Sequence, residues 1–152
     1  MGYNGLKKNW IFPGQASQFV GMGKDLFDNT DIGKKYYNLA NDILEVDIQD
    51  ISFNGPEEKL KITKYTQPAI FIVSSLISHL LIENGHVPSC VAGHSLGEYS
   101  ALTAAGGISF ETGLELVKVR SNSMDKAGMT NPGTMAAIIG LNMDSVVKLA
   151  NS

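Results

Sequence analysis

The residues Gly93-His94-Ser95-Leu96-Gly97 match the pattern G-x-S-x-G, in which a serine occupies a sharp strand-to-helix turn that lifts its hydroxyl clear of the backbone. A hydroxyl presented this way is suited to nucleophilic attack on an acyl carbon. So short a pattern arises by chance at an appreciable rate, and its surroundings decide its meaning. Cys90-Val91-Ala92 ends directly before it as an apolar strand, and Leu96 to Ala105 follows as a run of small and apolar residues suited to a helix packed on a sheet. The competing reading makes Ser95-Leu96-Gly97-Glu98 a capping box, with Ser95 satisfying a backbone donor and Glu98 reaching back.

A serine at this turn also stands at a helix N-terminus, where unpaired N–H groups and the helix dipole favour the negative oxygen of a tetrahedral acyl intermediate. The Leu96 N–H is one such donor. A second must come from another loop at the carboxyl edge of the sheet, and the Gly14-Gln15 turn is the natural source, its alternative being an ordinary polar turn. Arg120 falls on a helical stripe with Gly113, Leu116, Val117, Met124 and Ala127, so its guanidinium is expected on the inward face. There it needs an anion, supplied either by a ligand carboxylate or by a structural ion pair. The three histidines, His79, His86 and His94, precede or abut Ser95, whereas enzymes with this elbow place the base later in the chain. None of the three reads as a base, and the nucleophile–base pair is incomplete.

Positioning these residues falls to an alternation of strand and helix signals, which argues for an α/β domain with a largely parallel sheet. Trp10-Ile11-Phe12 reads as a strand stopped by Pro13-Gly14, and a helix is expected from Thr30. Asn54-Gly55-Pro56 forces a break; Thr66-Gln67-Pro68 reads as the capped head of an apolar helix that runs to Asn84-Gly85. The Cys90–Ala92 strand is expected to be central and covered on both faces. A helix from about Phe110 to Lys126 follows, then a boundary at Asn131-Pro132-Gly133, a strand at Met135–Ile139 and a helix start from Asp144 to Ala150.

The 152 residues carry 43% hydrophobic and 18% charged side chains, which excludes disordered and low-complexity classes. A net charge of −3 with scattered charges leaves no footprint for nucleic acid or a membrane surface. The longest apolar stretch, Ala69 to Ile82, is short for a membrane span. One cysteine, Cys90, allows neither an internal disulfide nor a zinc cluster, and the N-terminus lacks a signal-peptide pattern; the expected compartment is the cytoplasm.

Ile11-Phe12-Pro13-Gly14-Gln15, Thr66-Gln67-Pro68-Ala69, Gly93-His94-Ser95-Leu96-Gly97-Glu98-Tyr99-Ser100-Ala101-Leu102, Arg120 and Gly133-Thr134-Met135-Ala136-Ala137-Ile138-Ile139-Gly140 together resemble the malonyl-CoA:acyl carrier protein transacylase family of fatty acid synthesis. The resemblance covers the chain but only about the first half of the family's usual length. It implies an α/β-hydrolase-like large subdomain with a nucleophile elbow over residues 1–130 and the start of a small ferredoxin-like subdomain over 131–152. It implies Ser95 as nucleophile, Gln15 and Leu96 as oxyanion-hole donors, Arg120 as partner of the malonyl carboxylate, and Gln67, His94 and Met124 as pocket positions. The base histidine belongs to the second half. No metal or redox cofactor is implied; the partners are malonyl-CoA and the phosphopantetheine thiol of acyl carrier protein. Ala16 departs from the family's Gly-Gln-Gly loop, and its methyl should restrict that loop.

On this reading residues 1–152 alone are an incomplete fragment, nearly silent in catalysis and prone to self-association through the apolar strand 135–139 or to partial disorder beyond Asn131, while the full-length protein is expected to be a monomer. The alternatives are an acyltransferase module of a polyketide synthase, an α/β-hydrolase esterase that would not need Arg120, and a non-catalytic binding fragment.

Overall fold

The computed structural model describes residues 8–130 and 138–151. Strands β1 (Asn9–Phe12) and β2 (Cys90–Gly93) lie parallel, with Asn9 opposite Cys90 and Phe12 opposite Gly93. Parallel neighbours require a crossover, made here of α1 (Lys24–Asn29), α2 (Asp31–Leu44), α3 (Ile48–Asn54), α4 (Glu57–Leu60) and α5 (Thr63–Glu83). After β2 come α6 (Gly97–Ala104), α7 (Phe110–Thr130) and α8 (Met143–Ala150). The chain is thus α/β, rich in helix, with a small parallel sheet among the described residues.

Local chemistry explains the helix starts. The Thr30 side chain accepts from the Gly33 N–H at 2.9 Å, so α2 begins at Asp31 as its start signal predicts. Helix α5 departs from expectation: it begins at Thr63, three residues before Thr66, because the Tyr65 and Thr66 N–H groups already close on the Ile62 carbonyl at 2.8 and 2.9 Å. The Thr66 hydroxyl instead donates to the Leu60 carbonyl, and Pro68 lies inside the helix. Pro68 is the sixth residue of α5, past the first turn whose N–H groups lack partners, so it removes one N–H donor from the ladder.

The core is built around α5. Phe71, Ile72 and Leu76 are fully buried, with Leu114 and Val117 of α7, Tyr37 of α2 and Ile48 of α3. Phe71 stacks on Phe110 at 5.6 Å, and Phe110 on Tyr36 at 4.1 Å, contacts worth about 0.5–1.5 kcal/mol each beyond their burial. Helix α5 is 21 residues long and contains an 18-residue window with a mean hydropathy of 1.4, so by length and composition it is long and apolar enough to cross a membrane, where its shorter apolar stretch suggested otherwise. Residues Thr66 to Ile72 are nonetheless buried continuously against protein.

The sheet is more open than its apolar strands suggest. Cys90 and Ala92 are exposed and Ile11 is 79% exposed, so β2 is not covered on both faces. Helix α6 packs on both strands. The opposite side opens on an apolar groove of about 680 Å³ that Trp10, Phe12, Phe19, Ile70, Ile77 and Leu81 help to line.

Helix α7 extends at least to Thr130, four residues past the expected Lys126. Residues 131–137 lie outside the described residues, and with them the expected boundary and most of the expected strand Met135–Ile139. Of that strand, Ile138 and Ile139 are described, exposed and in no strand. Helix α8, capped by Asn142, buries none of its residues.

Candidate active site

Backbone geometry sets the serine apart before any side chain is considered. Ser95 has φ 55°, in the left-handed region where an L-residue costs about 1–2 kcal/mol, and such strain concentrates at functional sites. The flanking glycines make the turn possible. A Cβ on Gly93 would lie 2.1 Å from the Glu98 nitrogen, and one on Gly97 would lie 2.2 Å from the Phe12 carbonyl oxygen. Strand ends and helix start therefore meet backbone to backbone, which is the physical content of G-x-S-x-G.

The capping-box reading fails: α6 has Leu96 at its N-cap and no side-chain cap. Instead the exposed Ser95 Oγ accepts a hydrogen bond from Arg120 Nη2 at 3.0 Å. The Gly97, Glu98 and Tyr99 N–H groups close the first turn on the His94, Ser95 and Leu96 carbonyls at 2.9, 3.2 and 3.1 Å. Among the described residues the Leu96 N–H donates to no acceptor, which leaves it available at the helix N-terminus.

The Gln15 loop lies against this elbow. Phe12 accepts from the His94 N–H at 3.0 Å, and a Cβ on Gly14 would come within 2.6 Å of the His94 carbonyl oxygen. The Gln15 side chain donates from Nε2 to Thr63 Oγ1 at 3.4 Å, and its backbone N–H has no acceptor among the described residues. Ser17 Oγ fastens the loop to the Gly14 carbonyl at 2.8 Å, and the Ala16 N–H donates to Gln18 Oε1 at 2.9 Å.

Ala16 itself has φ 85°, so the departure from glycine places a methyl where the backbone is left-handed. Ala16→Gly should stabilise the protein by about 0.5–1 kcal/mol, the relief of strain exceeding the added unfolded-state entropy. Thermal unfolding should move up by roughly 1–4 °C. A lowered midpoint would show that the loop tolerates the methyl without strain.

Arg120 is half-buried, but not on the stripe the sequence suggested. The buried line of α7 is Phe110, Gly113, Leu114, Val117 and Ser121, while Leu116 is 46% and Met124 39% exposed. The apolar stripe is rotated by about one residue, which moves Arg120 to its border and turns the guanidinium to the elbow. Its Nη1 donates to Gln67 Oε1 at 2.6 Å, and its Cζ lies 5.9 Å from the Tyr99 ring centroid. Arg120 makes no ion pair with a described carboxylate, so the structural ion-pair reading finds no partner.

Gln67 is buried, 1% exposed, and donates from Nε2 to Met124 Sδ at 3.3 Å. The structure thus brings Ser95, Arg120, Gln67 and Met124 into one hydrogen-bonded chain, with the Gln15 loop beside it. His94 is exposed next to Gly14 and its ring makes no bond to Ser95. His79 is engaged by Tyr36 at 3.2 Å and by Glu83 at 3.2 Å, and His86 by Lys8 at 3.3 Å. None serves Ser95. Tyr99 was not picked out in the sequence; its position one helical turn after Ser95 is the signal that could have found it. Among the described residues no group of three His, Cys, Asp or Glu side chains could hold a metal ion.

Comparison with known proteins gives this geometry a family. The model of the acyl transferase domain matches residues 9–149. A malonyl CoA-acyl carrier protein transacylase of Synechocystis is 46% identical over 134 residues, covering 88% of this chain and 44% of that protein. One from Bacillus subtilis is 38% identical over 142 residues, covering 93% of this chain and 45% of that protein. Among solved structures, an acyl-carrier-protein S-malonyltransferase of Burkholderia pseudomallei superposes with a TM-score of 0.83 at 38% identity, covering 96% of this chain and 48% of that one. The chain spans a little under half the length of the curated relatives it matches.

Proposed function

The chain belongs to the acyl transferase domain family, and from that premise we propose that the whole protein moves a malonyl group from malonyl-CoA to the phosphopantetheine thiol of acyl carrier protein in fatty acid synthesis. The observation that carries this reading is the Ser95–Arg120 pair: a nucleophile on a strained turn, bonded to a cation that no described carboxylate neutralises.

Ser95 Oγ attacks the thioester carbonyl as its proton passes to a base, which the family resemblance assigns to a histidine downstream of residue 152. The C–S bond breaks, coenzyme A leaves as the thiol after taking that proton, and malonyl remains on Ser95. The carrier-protein thiol then attacks the ester and regenerates the hydroxyl. In both halves negative charge develops on the carbonyl oxygen, and the unengaged N–H groups of Leu96 and Gln15 are its receptors. Arg120 receives the malonyl carboxylate through its planar fork. No cofactor enters these steps.

The same reading divides the chain into a hydrolase-like subdomain to residue 130 and the start of a ferredoxin-like one from 131. It places the protein in the cytoplasm, where the exposed Cys90 thiol stays reduced.

Product analysis separates transferase from esterase. With malonyl-CoA and holo acyl carrier protein supplied together, malonyl should appear on the carrier's thiol, with free malonate a minor product. Malonate as the main product, with the carrier unloaded, would assign a hydrolase instead.

A further inference from the structure

Gln67 lies too deep to touch a substrate, yet it holds the residue that does. Its amide has one possible orientation here: guanidinium nitrogens only donate, so Oε1 must face Arg120 and Nε2 must face Met124 Sδ. Met124 is one helical turn beyond Arg120 on α7, so the amide is gripped by two residues of one helix face while its own backbone belongs to α5. The 2.6 Å bond to Nη1 fixes the plane of the guanidinium, and in that plane Nη2 reaches Ser95 Oγ at 3.0 Å.

The chemistry of the anchor matters as much as its position. A carboxylate at residue 67 would grip Arg120 harder but would neutralise it. An amide oxygen holds the guanidinium and leaves its positive charge for an incoming anion.

We propose that Gln67 is the positioning residue that sets acyl selectivity: by holding Nη1 with a neutral acceptor, it presents Nη2 at the nucleophile for a carboxylate on the acyl group. The inference rests on the reading of Arg120 as the carboxylate's receptor. In the empty site Nη2 is taken by Ser95 Oγ. An acyl group with a carboxylate takes over that donor and frees the oxygen lone pair for attack; an uncharged acyl group cannot make the exchange.

The test uses the whole protein and two substrates, malonyl-CoA and acetyl-CoA, with Gln67→Glu and Gln67→Met compared against wild type and Arg120→Ala. Gln67→Glu keeps the shape and adds the competing charge. It should lower kcat/KM for malonyl by about 100-fold, mainly through a raised KM, and for acetyl by only a few-fold. Gln67→Met keeps the volume and removes the acceptor, and should lower the malonyl-to-acetyl ratio by about 10-fold. Parallel losses for both substrates in either folded variant, or an unchanged KM for malonyl in Gln67→Glu, would overturn the inference. If Arg120→Ala collapses the ratio while both Gln67 variants keep it, this inference alone falls. If Arg120→Ala also keeps the ratio, the reading of Arg120 falls and takes the inference with it.

Discussion

With Ser95 replaced by alanine, the whole protein should carry no acyl group after incubation with malonyl-CoA, and transfer should fall by about 10⁵-fold or more. The size of the loss follows from the lack of a substitute. Ser100, one turn further along α6, is fully buried, and Thr103 is committed to the Tyr99 carbonyl at 2.9 Å. Of the described hydroxyls, Ser95 alone has a left-handed backbone, an exposed position and a helix N-terminus behind it. The loss should be chemical rather than structural. Alanine adopts φ 55° at much the same strain as serine, and the hydroxyl is bonded only to Arg120, whose other nitrogen stays on Gln67. A second variant separates the two effects: Ser95→Gly should be equally inactive yet melt higher, because glycine relieves the strain. Intact-mass measurement decides the main point. An undiminished malonyl adduct on Ser95→Ala would assign the nucleophile elsewhere.

What the sequence made legible, and what it did not, divides along one physical line. Features written in adjacent residues were readable: the strands at Trp10–Phe12 and Cys90–Ala92, the Thr30 cap and the elbow of glycines around Ser95. Each is a short-range steric or hydrogen-bonding rule. Features fixed by tertiary contact were not. Helices α1, α3 and α4 are four to seven residues long, too short for a periodic apolar stripe to show. Helix α5 starts early because Ile62 offers its carbonyl to the next turn and Thr66 finds Leu60, not because of any capping side chain. The rotation of the α7 stripe by one residue is decided by which neighbours α5 and α2 present. It turned an expected inward arginine into one at the site's edge. The Arg120–Gln67 bond joins residues 53 apart in sequence, and nothing local to either announces it.

Arg120→Ala carries the second large effect, and its signature is a ratio. A carboxylate held by a guanidinium fork is a charge-assisted pair, and removing one partner costs about 2–5 kcal/mol. For malonyl transfer that corresponds to a loss of roughly 30- to 4,000-fold in kcat/KM. Acetyl presents no carboxylate to the fork, so its transfer loses only what Arg120 contributes to the Ser95 environment and should fall by less than about 10-fold. The substitution has a structural cost as well. It leaves the buried Gln67 Oε1 without its donor, worth about 1–3 kcal/mol. Arg120→Lys separates charge from geometry: an ammonium restores the charge but not the planar fork, so it cannot bond Gln67 and a carboxylate in the same arrangement. Malonyl transfer should recover only in part, with KM well above wild type. Steady-state kinetics on both thioesters with holo acyl carrier protein reads out the ratio. Equal losses for malonyl and acetyl in Arg120→Ala would mean that the guanidinium holds the elbow together and reads no acyl carboxylate.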